Sequence, residues 1–368
     1  MFFKGMKRRA AASPIDNGRG NADRRRPLAC MALAALCLLG MASQSSRAAD
    51  AALIEAAKKE GQVVWYTTQI IDQFVRPLAG AFEKKYGIKV RYVRANSQEV
   101  VLRVLNEGRA GQVQTDVFDG TASAAPLQKL NLIEKWVPDS VSRFDKQAID
   151  PNGLWAATNL YVLTPAFNTQ MITKEQAPKT LQDLLDPKWK GKITWNASAT
   201  MSGAAGFIGM VLKSMGEQQG REYLRKLGQQ NIIPRRVSAR EVLNQVIRGE
   251  APIALNIFNN HAVISAADGA PVEWIPMQPA TGVLSVASLT KGAPHPNAGK
   301  LLIDFLVSPE GQQIFRDADY IPVDPQIPPR VPELKPDGKR LKAVYFSPDE
   351  IPAMLPKWMN IYKEYFQP

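Results

Sequence analysis

ITWNASATMSGAAGFIGMVLKSM, residues 193–215, decides how the rest of the chain is read. Residues 193–195 have the character of a short strand. Residues 196–202 form a loop of small hydroxyl and amide side chains, among them Asn196, Ser198, Thr200 and Ser202. An apolar helix follows, with Gly203, Gly206 and Gly209 at three-residue spacing. A strand that runs through such a loop into a helix start is how an α/β domain offers backbone N–H groups to a ligand. The first turn of a helix has unpaired donors and the positive end of the peptide dipoles, so it favours an anion or a polar oxygen. The same pattern also describes an N-cap on a buried helix whose glycines permit close packing. No Gly-Lys-Ser/Thr follows at the spacing of a nucleotide-binding loop.

Residues 1–48 carry the marks of an export signal. Lys7, Arg8, Arg9 and the run Arg24, Arg25, Arg26 are basic, residues 28–42 are apolar, and Ser46-Arg47-Ala48 places small residues where a signal peptidase reads them. Both cysteines, Cys30 and Cys37, fall inside this leader, and neither follows a lipobox. A chain cleaved near Ala48 therefore has no disulfide, thiolate metal site or cysteine nucleophile. The leader also holds nine of the Lys/Arg and two of the Asp/Glu. Its removal lowers the net charge from +12 to +5, with 37 basic against 32 acidic residues. So mild a basic balance argues against nucleic acid as a partner and suits a small anionic molecule. No later apolar run approaches the length of a membrane span, so a soluble exported protein with no membrane insertion is expected.

Some 320 remaining residues are enough for two domains. Residues 51–59 read as a helix stopped by Gly61, residues 62–68 as a strand, 74–86 as a helix and 88–93 as a second strand. Asn96 and Glu99 have the spacing of a capping box. Residues 115–118 form a third strand that empties into Asp119-Gly120-Thr121. Strand and helix alternate as in a parallel sheet with helices on both faces. Residues 153–168 are a long extended run that crosses between lobes, and residues 180–185 begin a second α/β series. Ser238 and Glu241 repeat the capping-box spacing, and residues 251–258 form a strand ending in the polar corner Asn259-Asn260-His261. Residues 272–276 and 282–289 carry the chain back. Ten of the 27 prolines lie after residue 320, which predicts an extended tail with a late helix near 353–366.

The segment KGAPHPNAGKLLIDFLVSPEGQQIF, residues 291–315, together with VVWYTT near the start, TDVFDG in the middle and GEAPIAL at 249–255, closely resembles periplasmic solute-binding proteins of ABC importers, and within them the ferric-ion-binding branch. The resemblance spans nearly the whole chain after the leader. It implies a type II periplasmic binding protein fold of class α/β: two lobes, each a mixed sheet flanked by helices, joined by extended hinge crossings and closing on a ligand. The corresponding division is 1–48 leader, 49–160 first lobe, 161–271 second lobe, 272–319 return to the first lobe, and 320–368 a Pro-rich tail packed on the lobes. The partners it implies are a small-molecule ligand and the permease subunits of an importer, with the binding protein a monomer and no cofactor.

The iron donors of that branch are not retained. A His after the first strand falls near Thr68 or Gln69, an acidic residue near Thr121, the adjacent tyrosines at Phe258 and Asn259, and an anion-holding arginine near Leu163. Ferric iron wants anionic oxygen donors, which these residues do not supply. The candidate solute-contacting residues are therefore Thr68, Gln69, Asp119, Thr121, Tyr161, Asn196, Ser198, Thr200, Ser202, Asn256, Phe258, Asn259 and His261, with no metal site and no catalytic residue. Asp119 reads equally as a helix cap, His261 as a simple corner residue, and His295 as structural within its Pro-flanked turn. The expected function is capture of a small polar anionic solute for a membrane permease. Ferric iron or an iron chelate is the alternative within the family. An enzyme on a similar fold, such as one like thiaminase I, is the alternative outside it, although that enzyme's cysteine nucleophile is absent here and no Gly-x-Ser-x-Gly elbow occurs.

Overall fold

The structure, a computed structural model, describes residues 44–367. Most of the leader assigned to residues 1–48 lies outside the described residues. Helix α1 (Gln44–Glu60) ends at Gly61, whose φ of +73° favours glycine. β1 (Gln62–Thr67) runs to a π turn at Ile71–Val75 and then α2 (Arg76–Tyr86). β2 (Lys89–Arg94) lies parallel to β1 with Thr67 beside Arg94, so both strands end at one edge. The Asn96–Glu99 capping box forms with both of its bonds and starts α3 (Ser97–Ala110). β3 (Val117–Gly120), α4 (Ala124–Lys129) and β4 (Ile133–Glu134) complete the first series.

β5 (Ala156–Asn168) is a buried strand of 13 residues. Beyond it come β6 (Ile193–Asn196), α5 (Ala204–Met215), α6 (Glu217–Gly228), β7 (Ile233–Arg235), α7 (Ala239–Ile247) and β8 (Ile253–Phe258). Then follow α8 (Asn259–Ala267), β9 (Val272–Trp274), β10 (Ala280–Thr290), α9 (Pro296–Val307) and α10 (Pro309–Asp317). The tail holds β11 (Ile321–Pro322), β12 (Ala343–Phe346) and α11 (Glu350–Phe366).

The strand order is β2-β1-β3-β10-β5-β8-β6-β7, a continuous mixed ladder. β5 pairs antiparallel with β10 along its first half and with β8 along its second, where the register shifts between Thr164 and Ala166. β5 and β10 thus tie the two halves of the ladder together. The apolar core is divided into clusters. Trp65, Phe74, Phe82, Phe305 and Phe315 fill one of them. Trp195, Phe207, Ile208, Leu224, Trp358 and Tyr362 fill another.

Residues 180–185 hold a 3₁₀ turn at Gln182–Leu185, and β9 pairs antiparallel with the far end of β5. One local expectation needs correction. The box at Ser238 is only half made: Ser238 Oγ accepts from Glu241 N–H at 3.2 Å, but the Glu241 carboxylate turns to Asn244 and Arg248. His295 is bound through its N–H and ring Nδ1 to the buried Asp116, at 2.6 and 3.0 Å, and pins the start of α9 to the sheet.

Candidate functional site

The C-terminal ends of β1 and β3 bring Thr68, Gln69, Asp119 and Thr121 to one edge. The Asp119 carboxylate, 1% exposed, accepts from Trp65 Nε1, Thr67 Oγ1, Thr68 N–H and Thr68 Oγ1 at 2.5–2.9 Å. Burial pushes its pKa up, and the hydrogen bonds from Thr67, Thr68 and Trp65 oppose that shift. Its oxygens are occupied by protein donors, so Asp119 braces the β1 turn. It does not cap α4, whose N-cap Ser123 has no side-chain bond.

Gln69 is also buried. Its amide donates to Asn159 Oδ1 at 3.1 Å and Ser285 Oγ at 3.3 Å, and its Oε1 accepts from the Tyr161 hydroxyl at 2.7 Å. It therefore fixes the first-lobe edge to both shared strands, β5 and β10. Burial holds the Tyr161 phenol well above its usual range, and it is neutral. Thr68 and Thr121 remain half-buried at the rim.

Across from this edge lies the quoted loop. Asn196 Oδ1 accepts from Ser198 N–H at 2.8 Å, and the Ser198 and Thr200 hydroxyls pair at 3.0 Å. Gly203 is the N-cap of α5 and supplies no side-chain acceptor. Gly206 N–H reaches Thr200 O and Gly203 O. Among the described residues, the N–H groups of Ala204 and Ala205, both fully buried, have no hydrogen-bond partner. The glycines pack closely as well. A Cβ on Gly206 would lie 1.9 Å from Met201 O, and one on Gly209 would lie 2.6 Å from the Trp358 ring. The close-packing reading of the stretch is thus realised along the helix.

Asn256 locks this loop in place. It sits within β8 at φ +57°, a left-handed conformation uncommon outside glycine, and its Nδ2 donates to Met201 O at 2.6 Å and Gly203 O at 2.9 Å. It positions the loop and has spent its amide hydrogens there. Asn259, one residue past β8, donates to Leu334 O at 3.0 Å, toward the tail. Phe258 packs against three core clusters, with its ring 4.5 Å from Tyr161 and 5.0 Å from His261. His261 is 5% exposed and neither ring nitrogen has a partner. Burial, then the charges of Arg240 and Arg94, pull its pKa down to about 3, so the imidazole is neutral.

Contacts join the groups. Gln98, in the first turn of α3, donates from its side chain to Ala199 O of the loop at 3.3 Å. Ala122, just past β3, packs on the second-lobe core. Arg94, Arg240 and Tyr320 were not anticipated from the sequence. Tyr320 OH accepts from Ile70 N–H at 3.2 Å, and its phenol is pushed up to about 12 by burial. Nothing in the local pattern around Arg94 or Arg240 singles them out. A surface hollow of about 520 Å³ lies elsewhere, between Glu175 and Lys188, and none of the candidate residues lines it. Among the described residues no group of three or more His, Cys, Asp and Glu side chains could hold a metal ion.

The model of the bacterial extracellular solute-binding protein family matches residues 114–344, well over half of the chain. A Salmonella typhimurium relative with a provisional name as a 2-aminoethylphosphonate-binding periplasmic protein is 25% identical over 338 residues, covering 89% of this chain and 93% of its own. The periplasmic binding protein AfuA from Actinobacillus pleuropneumoniae, solved with fructose-6-phosphate bound, superposes with a TM-score of 0.71 at 22% identity, over 83% of this chain and 99% of that one. Iron-bound HitA from Pseudomonas aeruginosa gives a TM-score of 0.65 at 19% identity, with the same coverage. These likenesses establish the type II periplasmic binding protein fold.

Proposed function

We propose that this chain, which belongs to the bacterial extracellular solute-binding protein family, captures a small anionic organic solute between its lobes and delivers it to the permease of an ABC importer. The observation that carries the reading is the start of α5. Unpartnered N–H groups at Ala204 and Ala205 stand beside the Ser198, Thr200 and Ser202 hydroxyls, in a loop held by Asn256 and bridged to the other lobe by Gln98. Neutral donors at a helix start stabilise a carboxylate or phosphonate oxygen without a metal. The Salmonella relative's name points to the same ligand chemistry.

The protein works in the periplasm as a monomer, after removal of a leader near Ala48, and binds without turnover. The first lobe comprises residues 49–160 and 272–319, and the second residues 161–271. Rim residues Thr68 and Thr121, with Tyr161 and Phe258 as apolar walls, complete the solute site. Ferric iron is disfavoured because both phenols, Tyr161 and Tyr320, are held neutral by burial and the Asp119 carboxylate is saturated by protein donors.

Replacing Ser198 and Ser202 together by alanine is the test. Binding of an alkylphosphonate or an alkanoate, measured by titration calorimetry, should weaken by about 1–3 kcal/mol. Unchanged affinity in the double variant would remove the loop from the site.

A further inference from the structure

The Pro-rich tail enters three apolar clusters in succession. Tyr320 is buried in the cluster of Trp65, Phe74 and Phe315. Ile321, Leu334 and Leu341 are buried against Leu160 and Val162 of β5 and Ala280 of β10. Phe346, Ile351, Trp358, Ile361 and Tyr362 are buried in the cluster of Trp195 and Phe207. The tail is therefore a third passage of the chain between the two large clusters, after β5 and β10.

Both ends of this passage are firmly held. The Asp324 carboxylate, 1% exposed, accepts from Arg143 Nε at 2.7 Å, and the Val323 and Asp324 N–H groups donate to Gln312 Oε1 at 3.0 and 3.2 Å. At the other end β12 lies parallel to β10 from Ala280 to Val283. The bare Cα of Gly282 makes room there for the Tyr345 ring, which a Cβ would meet at 2.6 Å. Lys213 Nζ donates to Tyr345 O at 3.0 Å and to the Glu350 carboxylate at 2.7 Å, and Lys357 Nζ donates to Glu217 at 2.7 Å.

The stretch between, residues 325–342, is built differently. It holds a 3₁₀ turn at Pro332–Leu334, and most of its side chains are exposed. Leu334 and Leu341 seat it on β5 and β10. Three bonds add to that seat: Asn259 Nδ2 to Leu334 O at 3.0 Å, Gln278 Nε2 to Arg340 O at 2.7 Å, and Ala280 N–H to Lys342 O at 2.8 Å. Local opening follows buried contact, so this middle comes away at lower cost than β12 or α11. While it is seated, β5 and β10 cannot bend without disturbing the packing of Leu160, Val162 and Ala280.

We propose that residues 325–342 are a strap across the hinge: seated through Leu334 and Leu341 it holds the lobes in the arrangement of this structure, and unseated it lets them part. The strap rests on the reading that the protein captures a solute between two lobes joined by β5 and β10.

Without residues 1–48 the chain has no cysteine, so nitroxide labels can be placed at Leu102→Cys on α3 and Gln219→Cys on α6, both exposed positions. Double electron–electron resonance then reads the distance between them with no solute added. In the Leu334→Ala/Leu341→Ala protein the distance distribution should broaden toward longer values. Hydrogen exchange of residues 325–342 should also accelerate by at least about tenfold. Circular-dichroism melts check that the variant is folded. Gln278→Ala, which loses only the bond to Arg340 O from an exposed site, should move both readouts the same way by less, and it decides the question if the double variant does not fold. A folded variant with the parental distance distribution and parental exchange would overturn the strap. Faster exchange with unchanged distances would overturn it too, since the segment would then loosen without the lobes following. Either failure leaves solute capture standing, because no solute takes part in the measurement.

Discussion

The Gln98 side-chain amide donates to the carbonyl oxygen of Ala199, 101 residues away in the chain, over 3.3 Å. The bond joins the start of α3 to the hydroxyl loop that leads into α5. A partly exposed hydrogen bond of this kind contributes on the order of 0.5–1.5 kcal/mol. Gln98→Ala should therefore shift the lobes toward separation and weaken solute binding by roughly two- to tenfold. Small-angle scattering of the solute-free variant should give a larger radius of gyration than the parent, and equal radii would show that the bond does not bias closure.

Asp119 makes a different kind of contribution. Four donors converge on its buried carboxylate, and its removal would leave Trp65 Nε1, the Thr68 N–H and the Thr67 and Thr68 hydroxyl hydrogens without acceptors. Asp119→Ala should cost about 3 kcal/mol of folding free energy, measured by urea unfolding. A loss of solute affinity at unchanged stability would instead mark Asp119 as a direct contact.

Asn256 ties stability to binding. Its left-handed backbone and two bonds to Met201 O and Gly203 O hold the loop in register with β8. Asn256→Ala loses both bonds and adds strain at a positive φ, so a destabilisation of about 1–3 kcal/mol is expected. Asn256→Gly relieves the backbone while still losing the amide. It should be the more stable of the two, with the same loss of solute affinity.

His261 makes stability depend on pH. Its pKa falls from 6.5 when exposed to about 3 in the folded protein. Below 6.5 the unfolded chain takes up a proton that the folded chain refuses, so stability is complete above that pH and is lost progressively as the pH falls toward 3. At about pH 5 the loss from this one site is about 2 kcal/mol. His261→Asn should flatten the slope of unfolding free energy between about pH 7 and about pH 5. An identical slope would place the acid sensitivity elsewhere.

Much of the frame was legible because its signals are local. The capping box at Asn96 and Glu99 formed as its spacing required, and Gly61 ended α1. The helix at residues 353–366 was legible too, since its apolar spacing sits on Trp358, Ile361 and Tyr362, which pack against α5. Glu241 shows where spacing alone misleads. Arg248, seven residues on, competes for its carboxylate and wins, leaving the box half made. The site was harder to read. Asn256 and Gln69 were found by residue type, but their amides proved to hold the scaffold, since the partners Met201 and Tyr161 are distant in sequence. Arg240 was missed because only the folded chain brings it to the carbonyl oxygen of His261, 21 residues on.

The central claim is that an anionic organic solute, and no bare metal ion, occupies the space between the lobes. Titration calorimetry of the leader-free protein with an alkylphosphonate, with ferric salt added in a parallel run under visible absorbance, tests it most directly. The account predicts saturable one-site heat from the phosphonate and no charge-transfer band with iron. Tight ferric binding with a charge-transfer colour, and no heat from the phosphonate, would contradict it.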